Sequence, residues 1–144
     1  MSSCLFCGII AGSVPATFVH RDAQISVFMD IQPVNPGHLL VIPNLHATYL
    51  ADLNPEVGAS MFRVAQRMAH ALRHSGLPCE GVNLFLADGA AAMQEIFHVH
   101  LHVFPRIRGD GFGLKFGPHY ADKPSRGELE AAAGTVRKAI GREV

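Results

Sequence analysis

The chain lacks the features that mark specialised protein classes. Neither sign of charge is in excess: twelve Lys and Arg balance twelve Asp and Glu in 144 residues. That balance argues against a nucleic-acid polymer as partner, which calls for a basic face. Any polyanion bound here must be small and held by local groups. No run approaches the ~20 apolar residues of a membrane span, so no membrane partner is expected. The first residues, MSSCLFCGIIAGSVPATF, lack the basic and long apolar regions of a signal peptide, which points to the cytoplasm. No repeat, low-complexity tract or linker breaks the sequence, and its length suits one domain over 1–144. Cysteine is scarce, with three in all. An odd count in a reducing compartment favours metal binding or free thiols over a disulfide framework. Cys79 has no partner in sequence and reads as a small, partly buried residue.

What is present reads as an α+β domain with a mainly antiparallel sheet. Strand-like runs lie at 24–31 (QISVFMDI), 38–42 (HLLVI), 82–86 (VNLFL) and 96–104, with a short one at 17–20. The turn QPVNPG joins the first two long runs. One central helix starts at Asn54, a good N-cap, with Pro55 at its first position, and Gly76 is placed to end it. Val57, Met61, Val64, Ala65, Met68 and Leu72 form its apolar stripe, while His70 and His74 lie on the solvated face. A C-terminal helix opens with the capping-box spacing Ser125-x-x-Glu128. ADGAAAMQE (87–95) reads as a loop, as does the Gly-rich GFGLKFGPHY (111–120), whose Lys115 and His119 have no assigned role.

The stretch IFHVHLHVFPR (96–106) places histidine at every second position. On a strand His98, His100, His102 and Phe104 then share one face, and Phe97, Val99, Leu101 and Val103 the other. Residues two apart are separated by ~6.6 Å, so the outer histidines lie ~13 Å apart. Three in a row do not converge easily on one ion. The row suits an extended phosphate better, because a neutral imidazole is a nucleophile near pH 7 and its neighbours can donate hydrogen bonds.

His98-Val-His100-Leu-His102-Val-Phe resembles the H-x-H-x-H-x-x motif of the histidine-triad (HIT) superfamily. CLFCGIIAGSVPA (4–16), DIQPVNPGHLLVIPNLH (30–46) and QEIFHVHLHVFPR (94–106) are similar to segments of that family in the same order. The resemblance is strongest over 4–110 and fades over 111–144. It implies a HIT-like fold, a homodimer with a sheet continuous across it, and hydrolysis or nucleotidyl transfer at the α-phosphate of AMP-X compounds. Phosphoramidates and dinucleoside polyphosphates are the substrate classes, a purine nucleotide is the partner, and no catalytic cofactor is implied. His100 corresponds to the nucleophile and His102 to its partner on the phosphate. His38 matches a further active-site histidine and Gln94 a residue that holds phosphate or leaving group. Asp30 matches the carboxylate that accepts the ribose hydroxyls, with Phe28, Met29 and Ile31 flanking the nucleoside. Each has a plainer role open to it: a turn cap for His38, an Asx turn for Asp30, core for Phe28 and Ile31, a loop bond for Gln94. A nucleotide-binding or scaffolding module with little turnover is the alternative function.

Three positions depart from the pattern. Met93 stands where many relatives have Gly, and Glu95 and Ala87 replace polar residues of phosphoramidase-type relatives. A carboxylate beside phosphate is unfavourable, so Glu95 is expected to face away. Cys4-x-x-Cys7 supplies half a tetrahedral zinc site. The resemblance to zinc-binding bacterial members implies His46 and His98 as the other ligands of a structural zinc.

Overall fold

Strand β3 (Leu39–Pro43) is apolar at every position because both of its faces are covered. The computed structural model describes residues 4–141 and places β3 at the centre of a five-stranded sheet. The other strands are β1 (Phe18–Arg21), β2 (Ile25–Met29), β4 (Gly81–Leu86) and β5 (Leu101–Arg106), in the order β1-β2-β3-β5-β4. Every pairing is antiparallel. Three α-helices complete the described residues: α1 (Leu5–Ala11), α2 (Pro55–His74) and α3 (Arg126–Ile140). This is the α+β architecture expected from the sequence, with α1 as an addition. The chain forms two compact units, one up to Phe112 and one from Gly113 onward.

Asn54 caps α2 by accepting the N–H of Glu56 at 2.8 Å, and Pro55 opens the first turn. Met61, Val64, Ala65, Met68 and Leu72 bury the predicted stripe against Ile25, Val27, Leu39, Val41 and Val103 of the sheet and Val99 just ahead of β5, with Val57 packed at the margin. Each fully buried side chain of this kind contributes roughly 1.5–3 kcal/mol relative to an exposed one. The opposite face of the sheet is covered by α1, whose Phe6 and Ile9 pack on Phe28, Leu40 and Ile42. Seven residues are too few to show helical periodicity, so α1 is not evident from pattern alone. In the second unit the capping box of α3 forms as read: Ser125 Oγ accepts the Glu128 N–H at 3.2 Å, and Glu128 Oε2 accepts the Ser125 N–H at 2.7 Å. Residues 113–125 of that unit are exposed, and Phe116 stacks on Tyr120 with ring centroids 3.8 Å apart.

The alternation along the histidine segment holds, but the strand is shorter than the pattern suggests. Ladder pairing begins at Leu101 instead of 96, because residues 96–98 bend and Val99 gives its N–H to Ala47 O at 2.8 Å. Phe97 therefore leaves the expected apolar face, is 41% exposed, and meets Tyr49 instead of the core.

Candidate active site and metal centre

Cross-strand pairing sets the site. Phe28 pairs with Leu40, Leu40 with His102, and His102 with Phe85, so these side chains form one row on the α1 face of the sheet. His100 lies beside the row, its ring centroid 5.0 Å from that of His102 and 5.2 Å from that of Phe6. The loop between β2 and β3 brings in the rest. Gly37 turns it with φ +101°, and a Cβ there would stand 3.0 Å from both Leu72 and Leu77, so only glycine fits before His38. Asn35 anchors the loop by donating to Pro105 O at 2.9 Å and to Asp110 at 2.8 Å. Arg106, and after it Asn35, hold the Asp110 carboxyl well below the usual range.

Hydrogen-bond partners assign a tautomer to each imidazole. The His98 ring donates from Nε2 to Pro43 O at 2.8 Å, which leaves Nδ1 as a lone pair. The His100 ring donates from Nδ1 to His98 O at 2.7 Å, which leaves Nε2 as the nucleophilic lone pair. His38 accepts the Val34 N–H at Nδ1 (3.0 Å) and donates from Nε2 to His102 Nδ1 at 2.8 Å. The Nε2–H of His102 is thereby left for the cavity. Burial pushes His102 down to about 4, helped by the neighbouring His100 and His38 and opposed by Asp30. Burial likewise lowers His38, against the pull of Asp30. Both are neutral at pH 7.

These groups open on a cavity of about 380 Å³. His38, His100, His102, Asp30, Phe28, Met29 and Ile31 all line it, together with an apolar wall from α1 that includes Phe6 and Ile9. Asp30 Oδ2 lies 3.5 Å from His38 Nε2 and 3.7 Å from His102 Nδ1, while Oδ1 accepts the Gln32 N–H in an Asx turn. A second, open groove lies at the outer edge of β4 between Glu80, Asn83, Arg106 and Arg108, away from the histidines.

Two expectations are corrected. Gln94 does not line the cavity. It is buried, accepts the Gly89 N–H at 2.7 Å, and donates to Thr48 O at 2.8 Å, so its amide is spent on the loop. Glu95, expected to face away, lines the cavity with Met93 and Ile96. The contribution of α1 is what sequence reasoning missed. Its signal is the position of Phe6 between Cys4 and Cys7, because whatever holds the two thiols also holds the ring between them.

Cys4, Cys7, His46 and His98 form a second cluster, with ligand atoms all within 4.8 Å of one another. Cys4 Sγ lies 3.4 Å and Cys7 Sγ 3.7 Å from His98 Nδ1, and Cys7 Sγ lies 3.4 Å from His46 Nδ1. Tetrahedral zinc at 2.0–2.3 Å from its ligands needs donors about 3.3–3.8 Å apart, so the set fits. The bonds from His98 to Pro43 and from His46 Nε2 to Thr48 Oγ1 at 3.2 Å turn the remaining nitrogens inward. Asp30, His38 and His102 also cluster. A cation there would compete with the Nε2–H of His38, which the Val34 bond fixes in place.

Comparison with known proteins shows the family. A family model described as the HIT domain matches residues 11–109. The chain belongs to the HIT family. An uncharacterized HIT-like protein of Mycobacterium tuberculosis is 38% identical over 140 residues, covering 97% of this chain and 94% of that protein. A zinc-bound histidine triad family protein from Mycobacterium smegmatis is 41% identical, covers 95% of this chain and 97% of its own, and superposes with a TM-score of 0.74. A histidine triad nucleotide-binding protein from Candida albicans is 26% identical, with 97% and 99% coverage and a TM-score of 0.85.

Proposed function

We propose that this HIT protein is a nucleotide hydrolase or nucleotidyl transferase that cleaves AMP-X compounds at the α-phosphorus through a covalent intermediate on His100. The observation that carries the reading is the His100 ring, whose Nδ1–H is tied to His98 O at 2.7 Å and whose Nε2 is free within the cavity. Asp30 binds the ribose hydroxyls. Phe28, Met29, Ile31 and the α1 wall hold a purine nucleoside.

The His100 Nε2 lone pair attacks phosphorus, the P–X bond breaks, and its electrons leave with X, which takes a proton from solvent. The His98 carbonyl stabilises the positive charge that forms on the phosphorylated ring. Neutral His102 holds a phosphate oxygen through Nε2–H, and His38 keeps it in that tautomer. Water then attacks phosphorus, the P–Nε2 bond breaks, a proton returns to solvent, and His100 is restored. No catalytic cofactor is needed for these steps. His100→Ala should lower release of AMP from an adenosine phosphoramidate by about 10³-fold or more while the protein still binds AMP. Turnover at the wild-type rate would show that the nucleophile lies elsewhere.

We further propose a structural zinc on Cys4, Cys7, His46 and His98. The M. smegmatis relative supports it, and the four donors leave no open position for chemistry. The thiol pair suits the reducing cytoplasm. The outer edge of β4, which pairs with no strand among the described residues, suits a homodimer with a continuous sheet, and sedimentation equilibrium checks it.

A further inference from the structure

The cavity carries fixed charge of one sign. Its titratable lining consists of Asp30, Glu95 and the imidazoles of His38, His100 and His102, with no lysine or arginine among the described residues. Asp30 is engaged with the two histidines and the Gln32 N–H. Glu95 is exposed and takes part in none of the ion pairs among the described residues. Its neighbour Met93 has φ +69°, the one positive value at a residue other than glycine among the described residues, and its side chain is 70% exposed at the cavity. The loop enforces this geometry from beneath. Met93 N–H bonds to Ala90 O at 3.0 Å, Gln94 N–H to Gly89 O at 3.1 Å, and the buried Gln94 amide ties both to Thr48. A side chain held in the left-handed region at a functional cavity is a cost that the surrounding bonds sustain.

We propose that Glu95 and Met93 form a leaving-group subsite that selects a positively charged amine on a short alkyl stem. On this basis the chain's preferred substrates are nucleoside phosphoramidates of cationic amines and not dinucleoside polyphosphates. The proposal rests on the nucleotidyl-transfer reading above and adds the identity of X. A polyphosphate tail would bring several negative charges to a cavity that offers no cation and adds a carboxylate; sites for such tails supply Lys, Arg or metal ions. A phosphoramidate brings a single negative charge at phosphorus, which the Nε2–H of His102 can meet. Its amine can carry a second group that is positive. Glu95 attracts that charge and the flexible thioether of Met93 packs on the stem. The P–N bond breaks, His100 Nε2 takes the phosphorus, and the nitrogen leaves as the neutral amine after gaining a proton from solvent.

The test compares three substrates by kcat/KM for AMP release: the adenosine 5′-phosphoramidates of 1,3-diaminopropane and of butylamine, which match in size and differ in charge, and diadenosine tetraphosphate. At low ionic strength the wild type should favour diaminopropane over butylamine roughly threefold to fivefold, the strength of a solvent-exposed ion pair. That ratio should approach one in Glu95→Gln and in high salt. The tetraphosphate should be the poorest substrate, and Glu95→Lys should improve it relative to the diaminopropane compound. A charge preference unchanged in Glu95→Gln, or a wild type that cleaves the tetraphosphate best, would overturn the subsite. Equal release from all three substrates would leave nucleotidyl transfer standing and remove this proposal alone, whereas no release from any of them would remove both.

Discussion

Single residues in this protein derive their roles from the atoms that occupy their second nitrogen. His100 is a nucleophile candidate because an oxygen two positions earlier takes its other nitrogen, and His102 is a donor because His38 takes its Nδ1. The loop that precedes them depends in the same way on Gly89, whose φ of 96° and ψ of 157° fall in a region open essentially to glycine alone. No side-chain clash is involved, since a Cβ at this position meets nothing within 4 Å. Gly89→Ala should therefore cost about 1–3 kcal/mol from backbone strain alone, read as a lower urea midpoint with unchanged slope. A midpoint equal to wild type would mean that the loop adopts another conformation. At this scale the motifs of the sequence were informative on and beside strands: Phe28 and His102 lie on β2 and β5, Asp30 and His100 one residue outside them, and all four line the cavity. Gln94 and Glu95 exchanged their expected facings because they follow a turn with a left-handed residue, and no period of two or 3.6 governs which way such residues point.

Helix α1 shows what short elements need. An isolated helix of seven residues is unstable in water, so tertiary contacts must hold it. Phe6 and Ile9 supply one set, and Cys4 and Cys7 supply the other by facing His46 and His98. The ring of Phe6 touches Phe28, His98 and His100 edge-on with centroids 5.2–5.8 Å apart, so the thiol cluster and the cavity share this wall. Protein purified without chelator should contain one zinc per chain, and Cys4→Ser should not. Stripping the metal should speed hydrogen exchange across residues 5–11 before the sheet is affected, which is read peptide by peptide by mass spectrometry. Equal zinc content in Cys4→Ser would rule out this site. Elements of ten residues or more were legible in the sequence, α2 and α3 down to their caps, because periodicity and capping signals repeat over several turns. The start of β5 was not, because Val99, two residues ahead of it, gives its N–H to Ala47 in place of a neighbouring strand.

For the molecule as a whole, buried neutral histidines couple stability to pH. His38 and His102 lie below their ordinary value of 6.5 in the folded state, His102 at about 4, mainly through burial. Between pH 6.5 and 4 the unfolded chain binds protons that the folded chain refuses, so folding stability falls as pH drops through that window and is fully present above it. The thermal midpoint should decline across this interval, and the decline should be shallower in His102→Gln. A midpoint independent of pH between 7 and 4 would show that these rings are solvated and charged in the folded state. The class of fold and the order of its long elements were readable from pattern, but this coupling was not, since it depends on which rings the sheet and α1 enclose together.

Consecutive rings of the triad share no hydrogen bond among the described residues; each is tethered to a different peptide oxygen or to His38 instead. The row is therefore no wire along which protons hop. On the proposed roles it is three separately tethered rings, His98 turned toward the thiols, His100 toward phosphorus and His102 toward a phosphate oxygen. A substitution at one ring leaves the hydrogen-bond tethers of the other two in place, because those end on Pro43 O, His98 O and His38.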